Sequence, residues 1–488
     1  MSMSTRRYRI VAHALLAAAA TGCSAAPPDE DTAAQLAAHL PTHRGAGLFR
    51  DRTMDCSGVS ETLSPRPIVL TSDNPFFGDF GTNGRTCGTC HQESNGWTIT
   101  PQFAQSRPMD DPLFVFDGSD CLAPGQPNPD PQTLSTRMLD KALVRIDLAV
   151  PETADYALVS YSDPLACAAP PSAAHLRVYR RPLPVANAAF LTTVMWDGRE
   201  NLSAPNNTLA LMTGNLAHQA NDATLGHAQG TASLPGAIQD QVVSFETGLF
   251  NAQREIGDLR LDREGASGGA GFLVSNTLPA FFVGINDVLG CSVPNSCAPG
   301  ATVSFSSAVF SLFQRWETDP PNEGAAAIGR GERLFNTRSF PIDGVAGLNG
   351  PDDTLGLPSP LTGFCGSCHD NPNVGNHSTS LPIDIGVTAS PPVGGLDVDG
   401  LPTYTFEQLG TGRRITVTDP GRGLISGKFK DLGKTKGPNL RGLAARAPYF
   451  HNGSARDLNA VVDFYNARFH IGFTEQEKSD LVAFLSAL

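Results

Sequence analysis

Cys87-Gly88-Thr89-Cys90-His91 and Cys365-Gly366-Ser367-Cys368-His369 are two copies of one pattern, C-x-x-C-H. At the chain's own residue frequencies, two chance occurrences would arise on the order of once in 10⁵ such chains. The spacing has a chemical meaning. Two thiols three residues apart reach the two vinyl groups of one haem, and the next residue then lies under the iron to donate an imidazole nitrogen. Each copy predicts a tether (Cys87 with Cys90, Cys365 with Cys368) and a proximal ligand, His91 or His369. Two other uses of paired cysteines compete. A zinc site would gather the four thiolates, but the pairs lie far apart in the chain and each has its own histidine. A thioredoxin-like pair would follow a strand, whereas Cys87 follows Gly81-Thr82-Asn83-Gly84-Arg85-Thr86, a turn-rich approach.

Working outward, the chain has 488 residues and a formal charge of −13. That balance excludes a nucleic-acid-binding role. Gly (49) and Pro (38) are abundant while hydrophobic residues make an ordinary 40%, the composition of a globular chain rich in loops. Residues 1–22 read as a signal peptide: Arg6, Arg7 and Arg9 precede the apolar run Ile10 to Ala20, which is too short to span a bilayer. Cys23 then stands as a lipobox cysteine, with a soluble secreted protein cleaved nearby as the alternative. Residues 23–48 have the composition of a lipid-anchored flexible tether, and the expected location is periplasmic.

Of the remaining cysteines, Cys291 and Cys297 are the easiest disulfide to propose, Cys121 with Cys167 is a weaker pair, and Cys56 is left over. The seam Asp319-Pro320-Pro321-Asn322 divides an N-terminal haem domain, 49–320, from a C-terminal one, 321–488. A helix is predicted over Ala325 to Phe335, and a C-terminal amphipathic helix follows the capping box Thr474-Glu475-Gln476-Glu477. Strand signals are few, and 120–135 and 340–362 read as loops. The expected fold is mainly α: two cytochrome c-like haem domains with long loops and little sheet.

Between and after the two motifs stand Met195-Trp196-Asp197-Gly198-Arg199 and Ala447-Pro448-Tyr449-Phe450-His451-Asn452-Gly453. Together with Gly437-Pro438-Asn439-Leu440-Arg441 and Phe464-Tyr465-Asn466, they resemble the bacterial di-haem cytochrome c peroxidase and MauG family over about residues 75–115, 180–290 and 325–488. The resemblance implies two covalently bound haem c groups. The N-terminal one would be the peroxidatic site, and the C-terminal one would pass electrons from a small cytochrome c or cupredoxin. Trp196 would relay an electron between them, core packing being the plain alternative, and Arg199 would pair with a haem propionate.

This chain departs from the family at several places. Where the peroxidases carry a methionine ligand stands Tyr465, as in MauG-like members that use the tyrosine, and no methionine follows Met212. Leu458, Val461, Val462 and Tyr465 share one helix face, which turns Tyr465 inward; a buried, hydrogen-bonded tyrosine is the alternative. At the place of the displaceable distal histidine is Arg107, and no histidine lies between His91 and His175, so the N-terminal iron is expected to be open. The family's Gln is matched by Gln219, but its Glu falls on Gln229. His227 is the substitute base, with His218 and Glu246 as further candidates, each with a structural role as its alternative. The Asn and Thr of the family's calcium site are Arg181 and Arg446, so calcium is not expected.

The leading function is a periplasmic di-haem peroxidase that reduces hydrogen peroxide. The alternative is a MauG-like oxidase using a bis-haem ferryl state on a protein or small-molecule substrate. An electron carrier without catalysis is the third, and it would want both irons six-coordinate.

Overall fold

A computed structural model describes residues 49–55, 57–115, 136–164, 171–201, 208–293, 295–353 and 355–488. The signal peptide, Cys23, the tether, the loop expected at 120–135, and Cys56, Cys121 and Cys167 lie outside the described residues. Most of the long helices begin at a side chain that caps the first turn. The longest are α1 (Leu209–Gly226), α2 (Gly236–Thr247), α3 (Glu323–Thr337), α4 (Leu458–Arg468) and α5 (Glu475–Ser486). The predicted helix over Ala325 to Phe335 is α3, lengthened because the Asn322 side chain accepts from the Ala325 N–H at 2.9 Å. The Thr474–Glu477 capping box opens α5 as predicted.

α3 and α5 pack backbone to backbone. A Cβ on Gly331 would lie 2.1 Å from the Asp480 carbonyl oxygen, so only glycine permits this approach. Arg330 adds an ion pair to Asp480, and Phe310, Phe313, Trp316, Phe335 and Phe484 form the adjoining aromatic core.

The expectation of little sheet is corrected. Helix exceeds strand, 31% against 16%, but eleven strands form four sheets among the described residues. A four-stranded antiparallel sheet runs in the order β1 (Phe49–Met54), β2 (Gly58–Ser64), β6 (Phe250–Ile256), β7 (Leu259–Arg260). β4 (Tyr156–Ser162) pairs with β10 (Thr403–Gln408), which pairs in turn with β11 (Arg414–Val417). β3 (Val144–Leu148) pairs with β5 (Leu176–Arg180). The expected loop at 340–362 is closed at its ends by β8 (Phe340–Ile342) pairing with β9 (Leu361–Gly363). These strands are short, and several partners lie far apart in the chain, so local periodicity carries little of the signal. In β10 only Tyr404 and Phe406 are buried, and in β4 only Tyr156.

Cys291 and Cys297 form the proposed disulfide. No helix among the described residues is long and apolar enough to cross a membrane.

Candidate functional site

The two C-x-x-C-H segments fold alike. Cys87–Cys90 forms one helical turn, and the Thr86 N–H donates to Thr89 Oγ1 at 2.9 Å; the Phe364 N–H donates to Ser367 Oγ at 3.1 Å in the other copy. The hydroxyl in the third position of C-G-[TS]-C-H thus closes its own turn. The glycine before it admits close neighbours: a Cβ on Gly88 would meet the Phe77 ring at 2.4 Å, and one on Gly366 the Val309 side chain at 2.6 Å. Both positions are shared by the two motifs, a repeat that could have been read from the sequence.

Each histidine is oriented in the same way. His91 Nδ1 lies 3.1 Å from the Trp97 carbonyl, and His369 Nδ1 lies 2.6 Å from the Gly375 carbonyl. A carbonyl takes only a donated hydrogen bond, so Nδ1 carries the proton and Nε2 keeps its lone pair for a metal. Burial lowers both imidazoles, His91 to about 4, which keeps that lone pair free.

Each motif lines its own cavity. One, of about 230 Å³, is walled by Cys87, Cys90 and His91; the second, of about 200 Å³, by Cys365, Cys368 and His369. The four thiols are therefore not gathered in one zinc site. Burial pushes Cys87, Cys365 and Cys368 up to about 12, the reverse of a redox-active thiolate.

One face of α1 borders the first cavity through Leu216, Gln219, Ala220, Ala223, Thr224 and His227. Gln219 and His227 thus share a cavity with His91. His218, one step round the helix, faces outward and pairs with Glu200 at 2.7 Å, which removes it as a base for this cavity. Gln229 is absent from the lining, and Arg107 is ion-paired to Asp111 at the surface. His91 and His227 are the only histidines lining this cavity among the described residues.

Glu246, on α2, also lines it; its Oε2 has no hydrogen-bond partner, and burial raises the carboxyl to about 8. A raised folded value means that the folded state holds a proton the unfolded chain has released. Its contribution is favourable below the unfolded value of about 4.3 and is lost as pH rises toward 8, at up to about 1.4 kcal/mol per pH unit. Glu246→Gln is expected to flatten that fall, read as urea midpoints between pH 5 and 8; parallel slopes for variant and parent would remove this role.

Met195-Trp196-Asp197-Gly198-Arg199 builds the partition between the cavities. Trp196 lines both, and its Nε1–H donates to the Arg181 carbonyl at 2.8 Å. Its ring centroid lies 6.1 Å from that of His451. Behind it, Asp197 is fully buried between Arg180 and Arg199. Burial alone would raise Asp197, but the two guanidiniums outweigh it and hold the carboxyl at about 2. Arg180 also grips Asp419, donating at 2.7 and 2.8 Å. Arg199 lines the first cavity with part of its guanidinium already committed to Asp197.

In the second cavity, Leu458, Val461, Val462 and Tyr465 of α4 all line the wall. The Tyr465 ring centroid is 6.4 Å from that of His369, at an interplanar angle of 71°. Its hydroxyl bonds to none of the described residues, unlike that of Tyr449, which donates to the Leu443 carbonyl at 2.8 Å. Arg181 and Arg446 adjoin each other, the first donating to the carbonyl of the second at 3.1 Å.

No family model matches the chain. It is 28% identical over 236 residues to cytochrome-c peroxidase IdrP1 of Denitromonas iodatirespirans, covering 43% of this chain and 54% of that protein. It is 33% identical over 141 residues to IdrP2 of the same organism, covering 26% and 36%. Cytochrome c peroxidase Ccp of Escherichia coli is 34% identical over 91 residues, 17% of this chain and 19% of that one. These similarities support a di-haem peroxidase-type reading of the chain. The match spans about half the length of the first relative and about a third of the second. A solved MauG-like protein associated with microbial copper homeostasis aligns with 85% of the chain at 14% identity, but its TM-score of 0.35 is too low to bear on the fold.

Haem c is the cofactor this family implies, and the residues fit it. Each cavity offers two thiols, an imidazole with Nε2 free, and a lining that is largely apolar.

Proposed function

We propose that the protein is a periplasmic di-haem oxidoreductase, tethered through Cys23, that reduces hydrogen peroxide in the His91 cavity with electrons passed through the His369 cavity from a small cytochrome c or cupredoxin. The observation that carries this reading is the pair of like-built cavities sharing a partition that contains Trp196. In this reading the His91 cavity is that of the 49–320 haem domain and the His369 cavity that of the 321–488 domain, each wall being completed by residues of the other. One covalent haem in each would supply the iron, with cleavage of the peroxide bond at the first: two electrons and two protons convert hydrogen peroxide to two waters.

The chain's own residues do the rest. Cys87 and Cys90, or Cys365 and Cys368, form the thioethers, and His91 and His369 present Nε2 along a fixed direction. The His227 imidazole takes the proton from the near oxygen of peroxide and returns it to the leaving oxygen, while the Gln219 amide orients that oxygen. Glu246, neutral at pH 7, holds a reserve proton on the same cavity. Trp196 gives the electron an aromatic stepping point, and Arg199 turns its remaining donors to a propionate.

Tyr465 favours a second reading, a MauG-like oxidase acting on a protein or small-molecule substrate. A phenol with no hydrogen-bond partner among the described residues, its ring 6.4 Å from that of His369, would bind iron through oxygen in this reading, and such a ligand lowers the potential relative to methionine. Tyr465→Phe is expected to alter the low-spin signal in the electron paramagnetic resonance spectrum of the ferric protein, leaving a high-spin signal from the open iron at His91. An unchanged low-spin signal would take Tyr465 out of the coordination sphere, and two low-spin signals in the parent at neutral pH would overturn the open site. Peroxide consumption with reduced cytochrome c separates the readings: donor-dependent turnover supports the peroxidase, and its absence supports the oxidase.

A further inference from the structure

Three of the cations in the partition between the cavities have no anion within reach among the described residues. Arg181, Pro182, Pro184, Trp196, Lys436 and Pro438 line both cavities, and Arg446 lines the second. Arg181, Lys436 and Arg446 are only 5%, 7% and 7% exposed. Their hydrogen bonds go to backbone carbonyls alone: Arg181 to Lys141, Ile99 and Arg446, Lys436 to Thr193, and Arg446 to Asn439. None has a carboxylate oxygen within 4 Å among the described residues, and Arg446 Nε has no partner of any kind. The contrast with Arg180, held by two carboxylates in the same region, is sharp.

A buried charge without a counter-charge costs several kcal/mol, and arginine does not escape by losing its proton. Burial and mutual repulsion lower Arg181 to about 9, and the same causes lower Lys436 to about 7. A site that gathers positive charge at the common wall of two cavities is built for anions arriving with whatever fills them.

We propose that Arg181, Lys436 and Arg446 form one cationic seat in the partition that binds carboxylates, those carried by the propionate side chains of both haem groups. The inference rests on the haem reading above. It makes the three residues positioning residues: they fix the haem edges on either side of Trp196 and set the local potential felt by both irons. A positive charge close to a haem favours its reduced form, so removing the charge lowers the reduction potential.

The test is spectroelectrochemical titration of the holoprotein, after iron and haem per chain are measured. Lys436→Met, which removes a charge from both cavities, is expected to shift both midpoint potentials downward. Arg446→Met is expected to shift chiefly that of the His369 haem. Lys436→Arg keeps the charge and is expected to restore the potentials while moving the propionate bending bands in the resonance Raman spectrum; it also guards against a Met variant that does not fold. Adding acetate at constant ionic strength distinguishes the source of the carboxylate. Potentials indifferent to acetate assign the seat to the propionates, and potentials that move with acetate in the parent but not in Lys436→Met assign it to a free anion. A chain without haem overturns the proposed function. A di-haem protein whose potentials and propionate bands ignore all these substitutions overturns the seat alone.

Discussion

A Cys87→Ser/Cys90→Ser double variant is expected to carry one covalently bound haem per chain in place of two and to lose hydrogen peroxide consumption to background. A serine hydroxyl does not add to a vinyl group, so the thioethers to the first haem are lost while His91 stays oriented by the Trp97 carbonyl. The change is small in volume, and the capping of the turn by Thr89 and the packing of Gly88 against Phe77 do not depend on the sulfurs. The fold is therefore expected to survive a loss of function. The measurement is the alkaline pyridine haemochrome absorbance per chain, with covalent haem read by staining after denaturation. Cys365→Ser/Cys368→Ser should also halve the haem and, under the proposed function, would remove the electron-entry side while leaving the peroxide site. Full haem retention in either double variant would show that the motif does not attach the cofactor.

The second large effect is on stability. Arg180→Met is expected to cost at least ~3–5 kcal/mol, because it leaves two buried carboxylates, Asp197 and Asp419, without their shared cation. Against a total of ~5–15 kcal/mol for a native protein, that is enough to unfold a large fraction of molecules. The pH dependence gives the mechanism. In the parent, Asp197 is held at about 2, below its unfolded value of about 3.9, so its stabilisation is present above that value and is lost as pH falls through 2. In the variant, burial is left with Arg199 as the only opposing charge on Asp197 and with none of Arg180's bonds to Asp419. The variant should therefore regain stability as pH falls from 7 toward 4, the opposite trend. Urea unfolding at several pH values reads this out, and adding Asp197→Asn with Asp419→Asn to Arg180→Met should recover part of the loss. A loss below ~1 kcal/mol at pH 7 would mean that the network is solvated and weak.

Much of the site was legible locally. C-x-x-C-H reports itself because attachment and ligation need five adjacent residues, and Tyr465 could be placed on an inward face because Leu458, Val461 and Val462 set the helical phase. His227 stood ahead of His218 as the candidate base, but their spacing alone did not say which would line a cavity. His218 lies midway along α1 and His227 just past its end, on opposite sides of the helix, so one meets Glu200 and the other the cavity. Nor could α1 itself be anticipated, since its apolar residues are mixed with Ala, Gly and Asn and its inward face is largely small: Ala220 and Ala223 leave room beside Gln219. The strands were missed for another reason. β4 needs β10, more than two hundred residues on, before its hydrogen bonds have partners.

By itself, the sequence determined the two C-x-x-C-H motifs, helix α3, the capping box of α5, the Cys291–Cys297 bridge and the absence of methionine after Met212. These depend on residues close together in the chain, where bond lengths and helical pitch leave few choices. Tertiary structure alone decided that Trp196 borders both cavities, that Arg180 joins Asp197 to Asp419, and that Arg181, Lys436 and Arg446 meet with no acid among them. The reason is physical. Whether a charge is compensated depends on what else is buried within a few ångströms, and that neighbourhood is assembled from segments whose spacing in the chain carries no record of it.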